Sequence, residues 1–195
     1  MRTQLFIALK IFFSMTLLTG VIYPLIVTGI AQGLLAKEAN GSLVKKGNIV
    51  VGSELIGQAF DTVVYFNSRP SASAYSVMPS GASNLSITSE KLKQQVIERK
   101  SLFLKANHLA ANANVPADML FASGSGLDPN ISMEAARLQI NRIAQKRNLN
   151  VLQAKQLADL VEKSIEPRQW FILGEPRVNV LNLNLEMDKL LAKNK

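Results

Sequence analysis

"IFFSMTLLTGVIYPLIVTGIAQGLLA", residues 11–36, contains no charged side chain. At about 1.5 Å per residue it makes a helix of roughly 39 Å, longer than the ~30 Å hydrocarbon core of a bilayer. A cleaved signal peptide has an apolar core of only about 7 to 15 residues, so the segment reads as an uncleaved anchor. Cleavage at the small-residue exit around Ala36 is the lesser alternative and would yield a secreted protein. The anchor reading divides the chain into a short N-terminal flank (1–10), a transmembrane helix (11–36), a polar linker (37–47) and a soluble domain (48–195).

Within the span, Gly29 and Gly33 form a small-xxx-small pair and Pro24 interrupts the hydrogen-bond ladder. These three residues are candidates for packing against other helices, although glycine and proline are common in membrane helices generally. A single span encloses no pore, so a transport role requires other subunits. Arg2 and Lys10 stand on one side of it, Lys37, Lys45 and Lys46 on the other, and the charge rule alone barely discriminates. Very short N-terminal flanks on a first helix usually stay inside, which places residues 37–195 outside the cytoplasm.

The net charge is +8, from 22 basic and 14 acidic residues. The basic residues occur at most in pairs, with no aromatic interleaving, which argues against a nucleic-acid face and for a solvated surface beside anionic lipid. Without cysteine there is no disulfide framework, thiolate metal site or thiol nucleophile.

Beyond the linker, "NIVVGSELIGQ" (48–58) and "DTVVYFNSRP" (61–70) read as strands, and the small polar run 71–89 as a surface loop. A helix follows from about Ser89, with Leu92, Val96 and Phe103 on one face. "VPADMLFAS" (115–123) reads as a short strand. Asp128 is placed to cap the next helix with Pro129 in its first turn, and Met133, Ala136, Ile140 and Ile143 form its apolar stripe, leaving Gln139, Arg142 and Lys146 on the other side. A further helix starts at Asn150 with Gln153 in a capping-box arrangement. "WFILGEPRVNVLNLNLEMDKLL" (170–191) reads as two strands about Gly174-Glu175-Pro176 and a terminal helical turn, with a bulge where the alternation changes phase between Val180 and Leu181. Helices and strands mix without strict alternation, so the fold class is α+β: one transmembrane helix and one soluble mixed domain.

Catalytic groups are scarce. His108, the only histidine, sits near a helix end and reads as a carbonyl cap; Trp170 and Phe171 read as core. No HExxH, GxSxG or DxD pattern is present. The loop "FASGSGLDPNIS" (121–132) is the one candidate anion cradle, through backbone N–H groups about Gly124 and Gly126. It lacks the Walker lysine, and Asp128 and Pro129 stand where phosphate would approach, so turn and helix start is the better reading. The alternative, a free-standing membrane-anchored enzyme binding nucleotide or phosphate through this loop, remains as a competing class.

"GSELIGQ" (52–58), "YFNSRPSASAY" (65–75), "PSGASNL" (79–85), "VPADMLFASGSGLDPNIS" (115–132), "QINRIA" (139–144) and "LGEPRVNVLNLNL" (173–185) occur together and in this order. In these motifs and in its N-terminal span the chain resembles the C subunits of Kdp potassium-importing P-type ATPases. The resemblance implies a non-catalytic accessory subunit in the cell inner membrane, single-pass, with its soluble domain on the periplasmic side. Its implied partners are the other members of the Kdp complex: a channel-like potassium-binding subunit, an ATP-hydrolysing subunit, which is the P-type ATPase itself, and a small helical subunit. It further implies a catalytic chaperone that raises the ATP affinity of the ATP-hydrolysing subunit, with no tightly bound cofactor and with Gln139, Asn141 and Arg142 touching nucleotide. Arg69, Ser80, Gly81, Asn84, Gly124, Gly126 and Asp128, in the matched loops, are the partner-contact or structural candidates. Cytoplasmic ATP and an extracytoplasmic domain lie on opposite sides of a bilayer about 40 Å thick, which sets the nucleotide expectation against the topological one.

Overall fold

The computed structural model describes residues 2–60 and 62–192, which fall into two compact units, one ending at Val51 and the other beginning at Gly52. The first unit starts with α1 (Arg2–Leu17), continues through a π-helical segment, Leu18–Ile22, and resumes as α2 (Tyr23–Leu34). This 33-residue helix contains an 18-residue stretch of mean hydropathy 2.1 and is long and apolar enough to cross a membrane. The π segment has a local cause: Pro24 brings no N–H, and its ring crowds the carbonyl four residues back. The chain widens there, and the Tyr23 N–H donates to Leu18 O five residues earlier. The Thr19 hydroxyl donates to Met15 O at 2.7 Å, within the helix. In the region read as linker, the chain forms a helical turn, α3 (Ala36–Ala39), and a strand, β1 (Leu43–Lys46); β1 pairs with β2 (Ile49–Ser53).

The second unit is α+β. Its sheet has three antiparallel strands in the order β3 (Asn130–Ser132), β5 (Arg177–Asn179), β4 (Ile165–Glu166). In its register Ile131 faces Val178 on one side and Ile165 faces Val178 on the other. Four helices complete it: α4 (Glu90–Ala106), α5 (Met133–Lys146), α6 (Val151–Lys163) and α7 (Val180–Ala192). Each start is locally encoded. Ser89 and Ser132 accept from the backbone of Leu92 and Ala135, Asn150 and Gln153 form the expected reciprocal capping box, and Asn179 Oδ1 accepts from Asn182 N–H. The core gathers Ile131, Val178, Ala135, Ala136, Ile143, Leu157, Val161, Leu183 and Met187 around Phe66.

Several expectations are corrected. Residues 115–123 contain a 3₁₀ turn, Ala117–Met119, and no strand. Asp128 and Pro129 do not open the helix; β3 intervenes and Ser132 caps it. The phase change at Val180 is the junction between β5 and a full helix, α7, so the bulge and the long final strand disappear. Trp170 and Phe171 lie at the surface, 82% and 91% exposed. Beside His108 the side-chain cap is Asn107, whose Nδ2 donates to Phe103 O, while His108 occupies a left-handed φ of 53°. Residues 62–70 form no strand; Asp61, the first residue of that expected strand, lies outside the described residues.

Candidate functional site

The 62–70 segment has the composition of a strand, yet side chains take the place of a neighbouring strand. Asn184 on α7 accepts from Phe66 N–H at 2.9 Å and donates to Phe66 O at 3.0 Å, reproducing both bonds of a β pair. On α5, Gln139 Oε1 accepts from Asn67 N–H at 2.8 Å. Arg142 spends its fork on the same stretch: Nη1 donates to Val63 O, Nη2 to Tyr65 O (3.0 Å), Asn67 Oδ1 (2.9 Å) and Gln139 Oε1 (2.8 Å), and Nε to Asn107 Oδ1 (2.9 Å). Next to it, Arg147 donates to Val64 O and Asp188, stacks 4.6 Å over the Tyr65 ring, and Asp188 accepts from the Tyr65 hydroxyl at 2.9 Å.

Gln139 and Arg142 are therefore buried, at 0% and 1% exposure, and do not lie on the outer face of α5 as expected. The buried side of the helix is Ala135, Ala136, Gln139, Arg142 and Ile143, one step round from the apolar stripe. No carboxylate pairs with Arg142 among the described residues; neutral oxygens alone take its protons. Desolvation pushes its guanidinium down to about 10, which leaves it charged at neutral pH. Partial burial, followed by the hydrogen bond to Asp188, raises the Tyr65 phenol above its ordinary value. Asn141 faces outward from the same helix.

The glycine-rich loop belongs to a second assembly. Arg69 meets Asp128 at 2.7 Å, and Asp128 Oδ1 accepts from Asn130 N–H. Ser71 donates to Gly126 O at 2.7 Å, and Ser123 N–H donates to Pro70 O. Gly126, at φ 72°, is hemmed in: a Cβ there would lie 2.6 Å from Ser73 Oγ and 2.8 Å from Gly81 O. The structure thus joins Arg69 with Asp128 and Gly81 with Gly126. Gly124, Ser80 and Asn84 remain exposed, and Gly29 and Gly33 have open space beside them.

A groove of about 930 Å³ runs beside this loop assembly, lined by Arg69, Asp118, Asp128, Glu134, Arg137 and Arg177 among others. Its arginines are already paired, Arg69 with Asp128, Arg137 with Glu162 (2.7 Å) and Arg177 with Glu166 (3.0 Å). Hydrogen bonding to Arg137 holds the Glu162 carboxyl below the usual carboxylate range. Asp118 accepts from the Ser132 N–H and hydroxyl. No cluster of three or more His, Asp or Glu able to hold a metal occurs among the described residues.

Sequence reasoning missed Asn67, Asn107, Asn184 and Arg147. One signal was available: Asn184 lies between Leu183 and Met187 on the buried side of α7, and a polar residue there implies a buried partner.

Comparison with known proteins shows the family. A family model described as K+-transporting ATPase, c chain, matches residues 5–189. The potassium-transporting ATPase KdpC subunit of Rhodospirillum rubrum is 50% identical over 184 residues, 93% of each chain. That of Allorhizobium ampelinum is 49% identical over 174 residues, 88% of each chain. The subunit of Mycobacterium tuberculosis is 44% identical over 192 residues, 97% of this chain and 100% of its own.

Proposed function

The chain belongs to the KdpC family of K+-transporting ATPase c chains, and on that premise we propose that it is a non-catalytic accessory subunit of an ATP-driven potassium importer. The observation that carries this is the match along nearly the whole chain, 5–189, to a family of such subunits. In the finer form of the proposal the apolar helix crosses the inner membrane once, and the domain lies on the periplasmic side. There it supports assembly with the channel-like potassium-binding subunit, the ATP-hydrolysing subunit, which is the pump's motor, and the small helical subunit. It also raises the ATP affinity of the ATP-hydrolysing subunit in the manner of a catalytic chaperone, acting through contacts between subunits. Direct nucleotide contact at the "QINRIA" segment is the competing form of this role: it requires the domain on the cytoplasmic side and leaves only Asn141 free to act, because Gln139 and Arg142 would have to release residues 63–67 first.

The test is purification of the tagged full-length chain from native membranes after potassium starvation, in mild detergent. Co-purification with a P-type ATPase and a channel-like protein, with potassium-stimulated ATP hydrolysis, is the expected result. A chain that comes alone refutes the proposal. The KM for ATP of complexes with and without the chain tests the chaperone role, and an unchanged KM removes it.

A further inference from the structure

β4 and β5 form the base of a hairpin whose connection, 167–176, folds back on itself at a second point. Gln169 N–H donates to Leu173 O and Leu173 N–H to Gln169 O, both at 2.9 Å. Between these lies a turn that carries Trp170, Phe171 and Ile172, and with Leu173 it presents four consecutive apolar side chains, 82%, 91%, 78% and 51% exposed. Trp170 and Phe171 hold φ values of 49° and 64°, a region that bulky residues rarely enter. Internal bonds from Phe171 N–H to Arg168 O and Ile172 N–H to Gln169 O brace the turn. Scattered surface apolar residues are ordinary; four in a row on a braced tip are not.

Resting on the accessory-subunit reading above, we propose that the Trp170–Leu173 tip is an anchor seated in an apolar cleft of a companion protein of the complex. Large, stiff aromatic side chains make the strongest interface anchors, and a braced turn loses little freedom when it docks. Two observations favour protein over lipid as the occupant. The Trp170 N–H and the carbonyls of Trp170, Phe171 and Ile172 have no partner among the described residues, and hydrocarbon would leave them bare. The flanking charges, Arg168 and Glu175, are of opposite sign, which suits a protein rim better than a uniformly anionic headgroup layer. The cleft therefore has an apolar floor, with hydrogen-bonding groups and charges of both signs at its rim. Four such side chains expose roughly 500 Å², less than the ~800 Å² per partner of a standard interface. The tip anchors an interface without forming all of it.

The experiment places p-benzoylphenylalanine at position 171 of the full-length chain, and in parallel at the exposed Lys155 of α6, and irradiates the purified complex. The expected result is a covalent adduct with a companion protein, identified by peptide mass, from position 171 and not from 155. Adducts with lipid alone, with a second copy of this chain alone, or none at all from an intact complex, overturn the proposal. If the unsubstituted chain brings down no companion, the accessory-subunit reading itself fails, and the proposal falls with it. As a second measurement, Trp170→Glu and Phe171→Glu should reduce co-purification by about tenfold or more while leaving the melting of the isolated chain unchanged. Undiminished co-purification in both variants also overturns it.

Discussion

Arg142 poses the sharpest problem at the scale of single residues. A buried cation without a carboxylate persists only if each of its donors finds an oxygen, and here a set of neutral carbonyl and amide oxygens supplies them. Arg142→Met keeps the volume but strands those acceptors, so it should lower the unfolding free energy by at least about 3 kcal/mol, measured by urea titration. Arg142→Lys should recover little of that, because an ammonium cannot reproduce the planar fork. Tyr65 gives a pH test. Its phenol pKa lies above the unfolded value of about 10, so the fold favours the protonated form. That contribution is complete below pH 10 and is lost as pH rises through the folded value. Tyr65→Phe should remove a late-ionising step from an ultraviolet absorbance titration. Gly126→Ala combines a left-handed φ with collisions at Ser73 and Gly81. A loss of about 1–3 kcal/mol in thermal unfolding is expected, and an unchanged stability would refute the packing described for this loop.

Among the secondary elements, what could be read from the sequence depended on whether the signal was local. Caps are local, so the starts at Ser89 and Asn150 were legible, and the apolar span was visible from composition alone. Residues 62–70 carried the β-branched and aromatic content of a strand, and that reading failed for a tertiary reason: their partners are Gln139, Arg142, Arg147 and Asn184, from distant points of the chain. The same fact explains the misplaced face of α5. An apolar stripe locates a helix, but a polar residue on the core side is invisible to periodicity when its partner is irregular backbone. In α7, Asn184→Leu should therefore be costly despite the apolar neighbours, leaving both polar groups of Phe66 unpaired. A loss of about 2 kcal/mol or more by urea titration would bear this out, and a neutral effect would show that water substitutes for the amide.

For the molecule as a whole, the division at Val51 predicts that residues 48–195 unfold cooperatively without the membrane helix. A calorimetric unfolding enthalpy equal to the van't Hoff value would support this, whereas a larger calorimetric value would point to subdomains inside the second unit. The candidate site was legible as loops but not as surfaces: sequence brought Arg69, Gly81, Gly126 and Asp128 forward, and the tip at Trp170 looked like core because large aromatic residues are so often buried. Exposure is a property of the assembly, which one chain's composition does not disclose. The Pro24 irregularity also bears on assembly. A π turn accommodates about one residue more than an α turn, so the helix beyond it is rotated by about 100° relative to an uninterrupted one. A neighbouring helix that follows one side of α1 loses that side at Ile22, and the Gly29 and Gly33 notches open in a different direction. Such a span is shaped to be wedged between two neighbours, one at each half of its length, more than to be zipped along a single one.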